Sequence, residues 1–106
     1  MPPTPLRIDL YRAVKEAEAR SIRTLGVFTN PAGVEAKYFA ETLEGAKAYA
    51  VRADARFNDG PYRIVKTTLR SDLIENEMRV SVDDGIRTVV LPTELLPYLT
   101  RPEMVE

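Results

Sequence analysis

The fold of this chain is best read outward from one stretch, KYFAETLEGAKAYA, at residues 37–50. Its first residues are rich in aromatic side chains and suit a short strand over 36–40. Thr42 then suits the N-cap position of a helix that runs from Leu43 to about Arg52. The stretch therefore predicts a strand, a tight connection and a helix in direct succession.

Two tyrosines mark the two halves of this unit: Tyr38 lies on the predicted strand and Tyr49 on the predicted helix, eleven residues later. Aromatic side chains on a strand and its following helix usually fill the core. The alternative is that both rings reach one cleft, where a flat heteroaromatic ring stacks between them. The residues alone leave both interpretations open.

The rest of the chain predicts further strands and one more helix. Apolar and polar residues alternate from Leu6 to Tyr11, and residues 15–25 have helical character before Gly26. A strand is expected over 62–69, and a hairpin over 78–91. These elements predict an α+β domain with about five strands, mostly antiparallel, and two main helices.

Length and charge limit the organisation of the chain. Its 106 residues allow one domain with a single modest core. We expect a disordered lead-in at 1–5, a domain over 6–100 and a C-terminal tail at 101–106. The formal net charge of −1 provides no basic field for general nucleic-acid binding through phosphate neutralisation.

The chain contains no cysteine and no histidine. This composition excludes disulfides, thiol nucleophiles, imidazole acid–base steps and Cys/His metal sites, and no metal is expected. The start of the chain has neither the basic segment nor the apolar run of a signal peptide, and no stretch approaches membrane-spanning length. The expected location is therefore the cytoplasm, with no membrane partner.

The tyrosine unit resembles the nicotinamide-binding core of the ADP-ribosyltransferase superfamily. It is closest to poly(ADP-ribose) polymerases and diphtheria-type toxins, in which a Tyr-Phe-Ala strand precedes a helix with a second tyrosine. Tyr38-Phe39-Ala40 and Tyr49 match this pattern in residue type and spacing. Tyr11-Arg12, near the end of the first strand, is similar to the aromatic and arginine found there in small bacterial polymorphic-toxin domains.

The resemblance covers roughly residues 8–96 and implies an ADP-ribosyltransferase-like split sheet with NAD as the substrate. It implies that Tyr38 and Tyr49 sandwich the nicotinamide ring, and that Arg12 holds the phosphates or ribose through charge-assisted bonds. The residues to which the resemblance assigns contacts with NAD are Tyr11, Arg12, Tyr38, Phe39, Thr42 and Tyr49.

The catalytic carboxylate of the family has no clear counterpart in the sequence. A glutamate normally opens the last core strand and stabilises positive charge as the glycosidic bond breaks, but here that strand opens Gly85-Ile86-Arg87-Thr88. The nearest carboxylates are Asp83, Asp84 and Glu94, and Asp84 and Glu94 are the candidates for the catalytic role. Each also has an ordinary explanation, as hairpin-turn chemistry or as a first-turn helix residue.

Two functions follow from the resemblance. The first is a bacterial toxin-type domain that transfers ADP-ribose to a protein or nucleic-acid acceptor, or hydrolyses NAD, and that has a cognate antitoxin or immunity protein. Such a domain acts in the cytoplasm, or in a target cell's cytoplasm if it is delivered by a larger toxin. The alternative is a catalytically degenerate domain of the same fold that binds a nucleotide or a protein. A third hypothesis is a small interaction module whose aromatic residues only fill the core.

Overall fold

A computed structural model describes residues 6–82 and 85–105 of the chain. Its strands are β1 (Arg7–Val14), β2 (Ala36–Ala40), β3 (Arg63–Arg70), β4 (Arg79–Val82), β5 (Ile86–Pro92) and β6 (Glu103–Met104). Its α-helices are α1 (Glu16–Leu25) and α2 (Leu43–Phe57), and short 3₁₀ turns span Ser71–Leu73, Asn76–Met78 and Thr93–Tyr98. The predicted α+β class with two main helices is confirmed.

The described strands form one antiparallel sheet in the order β4-β5-β2-β1-β3-β6. β1 pairs with β3 along its whole length, and β2 pairs with β5 along its whole length. Between β1 and β2, in contrast, the pairing is confined to Tyr11 opposite Ala40. The two halves of the sheet are therefore joined at one point, which we call the seam.

The ends of both helices follow from local chemistry. The Thr42 hydroxyl accepts a 2.9 Å hydrogen bond from the Gly45 amide and caps α2, as predicted. α1 ends at Gly26, whose φ of +72° is left-handed and suits glycine. α2 ends at Asn58, also left-handed, and so is longer than the expected end near Arg52. Helix-forming residues continue past Arg52, and no breaker precedes Asn58.

The sheet packs its two faces differently. The face under α1 carries a large buried cluster of Leu10, Val14, Ala19, Ile22, Phe28, Phe39, Val65, Leu69, Val89, Leu91 and Leu96. The face under α2 carries a smaller one of Ala40, Ala46, Ile64 and Ile86. Because the second cluster is smaller and includes the small side chains of Ala40 and Ala46, α2 covers its face of the sheet without filling the space beside the seam.

The C-terminal segment extends the sheet. β6 lies inside 101–106, where the sequence predicts a tail, and it pairs with β3 through Val65 opposite Met104. The Val105 amide also donates a 3.0 Å hydrogen bond to the Ile64 carbonyl. Two paired residues leave no periodic pattern in a sequence, so this strand could not be recognised there.

Among the described residues, no helix combines the length and the apolar run that crossing a bilayer requires.

Candidate functional site

A cavity of about 390 Å³ opens beside the seam on the face that α2 covers. Its volume lies within the range of roughly 300–1,000 Å³ that is usual for small-molecule sites. The residues that line it are Tyr11, Arg12 and Ala13 of β1, Tyr38 and Ala40 of β2, Ala46 and Tyr49 of α2, Val82 of β4, and Ile86 and Thr88 of β5. Five separate elements thus converge on one concave surface.

The two tyrosines of the central unit both reach this cavity. Tyr38 shares a face of β2 with Ala40, and Tyr49 lies one helical turn beyond Ala46. Their exposed fractions are 53% for Tyr38 and 39% for Tyr49. Rings that fill a core are almost fully buried, so the core-packing interpretation does not describe these two side chains. The structure brings them together at an open, aromatic-walled site.

Arg12 lies in the seam and links three elements. Its Nη1 donates a 2.8 Å hydrogen bond across the gap to the Tyr38 carbonyl. Its Nε and Nη2 donate to the two carboxylate oxygens of Glu18 on α1, at 2.7 and 3.0 Å. This two-point contact is the geometry that fixes a guanidinium most firmly. Three of the five N–H donors of Arg12 are used in this way, and the residue also lines the cavity.

A buried lysine completes the charge cluster at the seam. Lys37 is 7% exposed, and its Nζ lies 3.2 Å from Glu18 Oε2. Burial, and then the charge of Arg12, hold the pKa of Lys37 below its usual value of 10.5. Burial acts to raise the pKa of Glu18, but hydrogen bonds and charge from Arg12, and then from Lys37, outweigh it and hold that pKa below 4.5. The carboxylate is therefore ionised at neutral pH.

The wall formed by β5 lacks an acidic side chain at the place where the resemblance calls for one. The first residues of β5 that face the cavity are Ile86 and Thr88. Both are buried, and the Thr88 hydroxyl donates to the Ile86 carbonyl at 3.1 Å. Within residues 6–82 and 85–105, no carboxylate lines this cavity.

Phe39 lies in the core rather than in the cavity. Successive residues of a strand point to opposite faces, so Phe39 points away from its neighbour Tyr38. Its side chain is 0% exposed and meets Phe28 edge to face, with ring centroids 5.1 Å apart. The expected contact between Phe39 and NAD is therefore corrected: this residue supports the strand from behind.

Thr42 and Glu94 are also placed outside the cavity lining. The Thr42 side chain acts as the helix cap. Glu94 is exposed and follows Pro92, which pairs with Ala36 at the opposite end of β2 from Ala40. From Thr88 to Pro92 alone the strand advances about 13 Å, at about 3.3 Å per residue. A catalytic role for Glu94 at this cavity is therefore corrected as well.

The other catalytic candidate, Asp84, lies outside the described residues, as does Asp83. Val82, which precedes the pair, and Ile86, which follows it after Gly85, both line the cavity. Asp84 therefore remains a prediction from the sequence, and it is the candidate nearest to the cavity along the chain.

Several lining residues were not predicted from the sequence: Ala13, Ala40, Ala46, Val82, Ile86 and Thr88. A signal existed for three of them. Ala13 and Ala40 lie two residues beyond Tyr11 and Tyr38 on the same strand face, and Ala46 lies one helical turn before Tyr49. The β4 and β5 residues could not be assigned without the sheet order, because nothing local shows that β5 lies next to β2.

In the described part of the chain, no group of three or more acidic side chains is placed to hold a metal ion.

Comparison of the chain with protein-family models, with curated proteins and with solved structures finds no match in any of the three.

Proposed function

We propose that this protein is an ADP-ribosyltransferase-like domain that binds NAD in the cavity beside the seam. The observation that carries the proposal is the convergence of Tyr38 and Tyr49, both substantially exposed, on one cavity that Arg12 also lines. The described strands form one sheet in which β1 and β2 pair at a single position, and the proposal takes this position as the division of a split sheet.

The chemistry of the lining fits a nicotinamide ring. The oxidised ring is flat and carries positive charge, and the faces of tyrosine rings attract such a group. The small side chains Ala13, Ala40 and Ala46 leave the room that a ring needs. Stacking of a heteroaromatic base on an aromatic side chain contributes about 1–3 kcal/mol. Tyr38 and Tyr49 would thus supply most of the contact with the ring.

Arg12 would bind the part of NAD that carries negative charge. A guanidinium grips phosphate oxygens through paired charge-assisted hydrogen bonds. The Nη1 group of Arg12 donates a 2.8 Å hydrogen bond to the Tyr38 carbonyl, which ties the guanidinium to the backbone that carries the Tyr38 ring. The hydrogen bond would thus keep the aromatic contact of Tyr38 and the cationic contact of Arg12 at a constant spacing for one ligand.

The reaction that the proposal implies is displacement at the nicotinamide ribose. The bond between the ribose C1′ and the nicotinamide nitrogen breaks, and its electron pair leaves with nicotinamide. The C1′ centre passes through an oxocarbenium-like state and bonds to an acceptor nucleophile or to water, which loses a proton. Enforced orientation of the bound dinucleotide lowers the barrier, and Asp84 is the candidate for stabilising the positive charge.

In this proposal the acceptor is a protein or a nucleic acid, and water replaces it if the protein hydrolyses NAD. A toxin with this activity works in the cytoplasm of a cell, which needs a cognate antitoxin or immunity protein for protection. The activity requires no metal.

The second candidate is a degenerate domain that binds a nucleotide or a protein partner without cleaving NAD. One observation favours it: Ile86 and Thr88 occupy the wall at the start of β5, where the family carries a glutamate. An apolar side chain and a neutral hydroxyl cannot offset charge at C1′ as a carboxylate does.

One experiment separates the two candidates. The purified protein is incubated with NAD, nicotinamide release is followed by chromatography, and NAD binding is measured by calorimetry. We expect binding that is weakened in Tyr49→Ala and retained in Tyr98→Ala, since Tyr98 is an exposed tyrosine outside the cavity lining.

The outcomes are distinct. Release of nicotinamide that is lost in Tyr49→Ala supports the enzyme, and binding without release supports the degenerate domain. Asp84→Asn then tests the catalytic role of that carboxylate, because the amide keeps the shape and removes the charge. The absence of any NAD binding by the folded protein contradicts both candidates.

A further inference from the structure

The charge cluster at the seam has the composition of an anion site. Arg12 and Lys37 bring two positive charges to the same carboxylate, and both contact Oε2 of Glu18, at 2.7 and 3.2 Å. Glu18 supplies one negative charge, so the three side chains carry a net charge of +1. A surplus of positive charge at a largely buried place favours a ligand with more than one negative charge.

The lowered pKa of Lys37 agrees with this surplus of positive charge. Burial comes first and the charge of Arg12 second in lowering the pKa of Lys37, and Glu18 offsets them only in part. An ammonium whose pKa is lowered in this way is stabilised by any additional anion nearby. Lys37 lies on β2, between β1 and β5, and its side chain is almost fully buried.

The cluster is accessible from two sides. Arg12 lines the cavity that holds the tyrosines, on the α2 side. Glu18 and Lys37 line a second cavity on the α1 side, together with the polar side chains of Ser21, Thr29 and Asn30. A phosphate group that enters at the seam can therefore meet both cations as well as neutral hydrogen-bonding groups.

Glu18 is the member of this cluster that lies on a helix rather than on a strand of the sheet. It belongs to the first turn of α1, which is anchored through the buried Ala19 and Ile22 further along the helix. Rotation of the Glu18 side chain would remove its carboxylate from the two cations without moving the helix. Arg12 keeps its hydrogen bond to the Tyr38 carbonyl, so its guanidinium stays at the seam after such a rotation.

We propose that Arg12 and Lys37 form a two-cation binding site for a pyrophosphate-type anion, and that the Glu18 carboxylate occupies this site as an internal competitor. The ligand replaces one negative charge by two or more, which is the energetic reason for the exchange. Identifying the anion as the pyrophosphate of NAD rests on the proposed function, whereas the two-cation site itself does not.

The test is a calorimetric titration with inorganic pyrophosphate, at low ionic strength and in a buffer free of phosphate. Glu18→Gln removes the competing charge and keeps the side-chain shape, and we expect it to bind pyrophosphate about tenfold more tightly than the unchanged protein. Lys37→Gln is expected to bind about tenfold more weakly. Glu16→Gln is the matched control, because Glu16 lies on the same helix and pairs with the exposed Arg23.

A gain of affinity on removing Glu18 distinguishes competition from a merely structural role, which would give a loss. Equal or weaker binding by folded Glu18→Gln overturns the proposal, as does a gain of the same size in Glu16→Gln. Thermal unfolding of each variant shows whether it is folded under the conditions of the titration.

A second measurement needs no substitution. In the unchanged protein, saturating pyrophosphate is expected to shift the NMR resonance of the Arg12 Nε–H group, because its carboxylate partner is exchanged. The resonance of Arg23, which pairs with Glu16 on the surface of α1, serves as the internal control. An Arg12 signal that does not move at saturation contradicts the proposal.

Parallel titrations with NAD identify the source of the anion. Tighter binding of both NAD and pyrophosphate by Glu18→Gln places the pyrophosphate of NAD at the two cations. Tighter binding of pyrophosphate alone, with no NAD binding, supports the two-cation site and contradicts the proposed function. NAD binding that does not respond to Glu18→Gln contradicts the exchange at the seam and leaves the tyrosine cavity intact.

Discussion

The two faces of β2 show how differently adjacent residues of one strand can be used. Phe39 points to the α1 face, where it is fully buried and packs edge to face against Phe28. Tyr38 points to the α2 face, where more than half of its side chain is exposed at a cavity. The first face is closed by large apolar side chains, whereas the second leaves a cavity whose lining includes the small side chains of Ala13, Ala40 and Ala46. One side of the same five residues is thus packed into the core, and the other side borders the cavity in which we propose that a ligand binds.

The sharpest test of this comparison is Phe39→Ala, for which we expect the largest effect. Removing a fully buried phenylalanine costs about 3–5 kcal/mol, because transfer energy is lost and a cavity remains. The free energy of unfolding, measured by urea titration, should fall by that amount, which is a large part of a small domain's stability.

Tyr38→Ala, at the preceding residue of β2, is the matched substitution for comparison with Phe39→Ala. We expect its free energy of unfolding to change by less than about 1 kcal/mol, since the ring is mostly exposed. Equal losses for the two substitutions would remove the distinction between the two faces.

The second prediction concerns the open face. In Tyr38→Ala and in Tyr49→Ala, the affinity for NAD should fall by about 5- to 150-fold, which corresponds to the loss of about 1–3 kcal/mol of stacking. Calorimetry measures the affinity, and Tyr98→Ala provides the comparison with an exposed tyrosine outside the site. A similar loss in all three variants would show that the effect is not local to the cavity.

Thr42→Ala tests whether this residue serves the fold or the ligand. Loss of the cap bond to the Gly45 amide should cost about 1 kcal/mol. The midpoint of thermal unfolding should therefore fall by about 4–8 °C, with unchanged affinity for NAD. If Thr42→Ala had normal stability and a weakened affinity for NAD, Thr42 would instead contribute to ligand binding.

The smallest effect on the free energy of unfolding is expected from the ion pairs of Glu18 with Arg12 and Lys37 at acidic pH. The pKa of Glu18 is lower in the folded protein than its usual 4.5, so its stabilising contribution is complete above about pH 4.5. That contribution is lost as the pH falls through the folded-state pKa. The free energy of unfolding should decline more steeply below pH 4.5 in the unchanged protein than in Glu18→Gln. Parallel slopes for the two proteins would contradict the ion-pair assignment.

Much of the fold could be predicted because its signals are local. The capping hydroxyl of Thr42 and the glycine at 26 mark helix ends, and period-two patterns mark the longer strands. The convergence of Tyr38 and Tyr49 on one cavity also follows from a local unit, a strand joined directly to a helix. β6 escaped prediction because its only signal is pairing with a distant strand.

The parts of the site that were mispredicted depend on direction and distance rather than on residue type. The resemblance assigns Phe39 to the ligand, whereas strand alternation places it opposite Tyr38. Glu94 is a candidate in the sequence because it is near β5, but the antiparallel pairing of β5 with β2 places it beyond the end of β2 that lies farther from the cavity. The contact between Arg12 and Glu18 joins a strand to a helix, and residue spacing does not reveal it.

We propose that the open face of β2 holds a nicotinamide ring between Tyr38 and Tyr49. The most direct measurement is the nuclear Overhauser effect between the ring protons of bound NAD and the tyrosine ring protons. We expect cross-peaks from the nicotinamide protons to both Tyr38 and Tyr49 and none to the buried Phe39. Saturation with NAD that gives no cross-peak to either tyrosine would contradict this proposal.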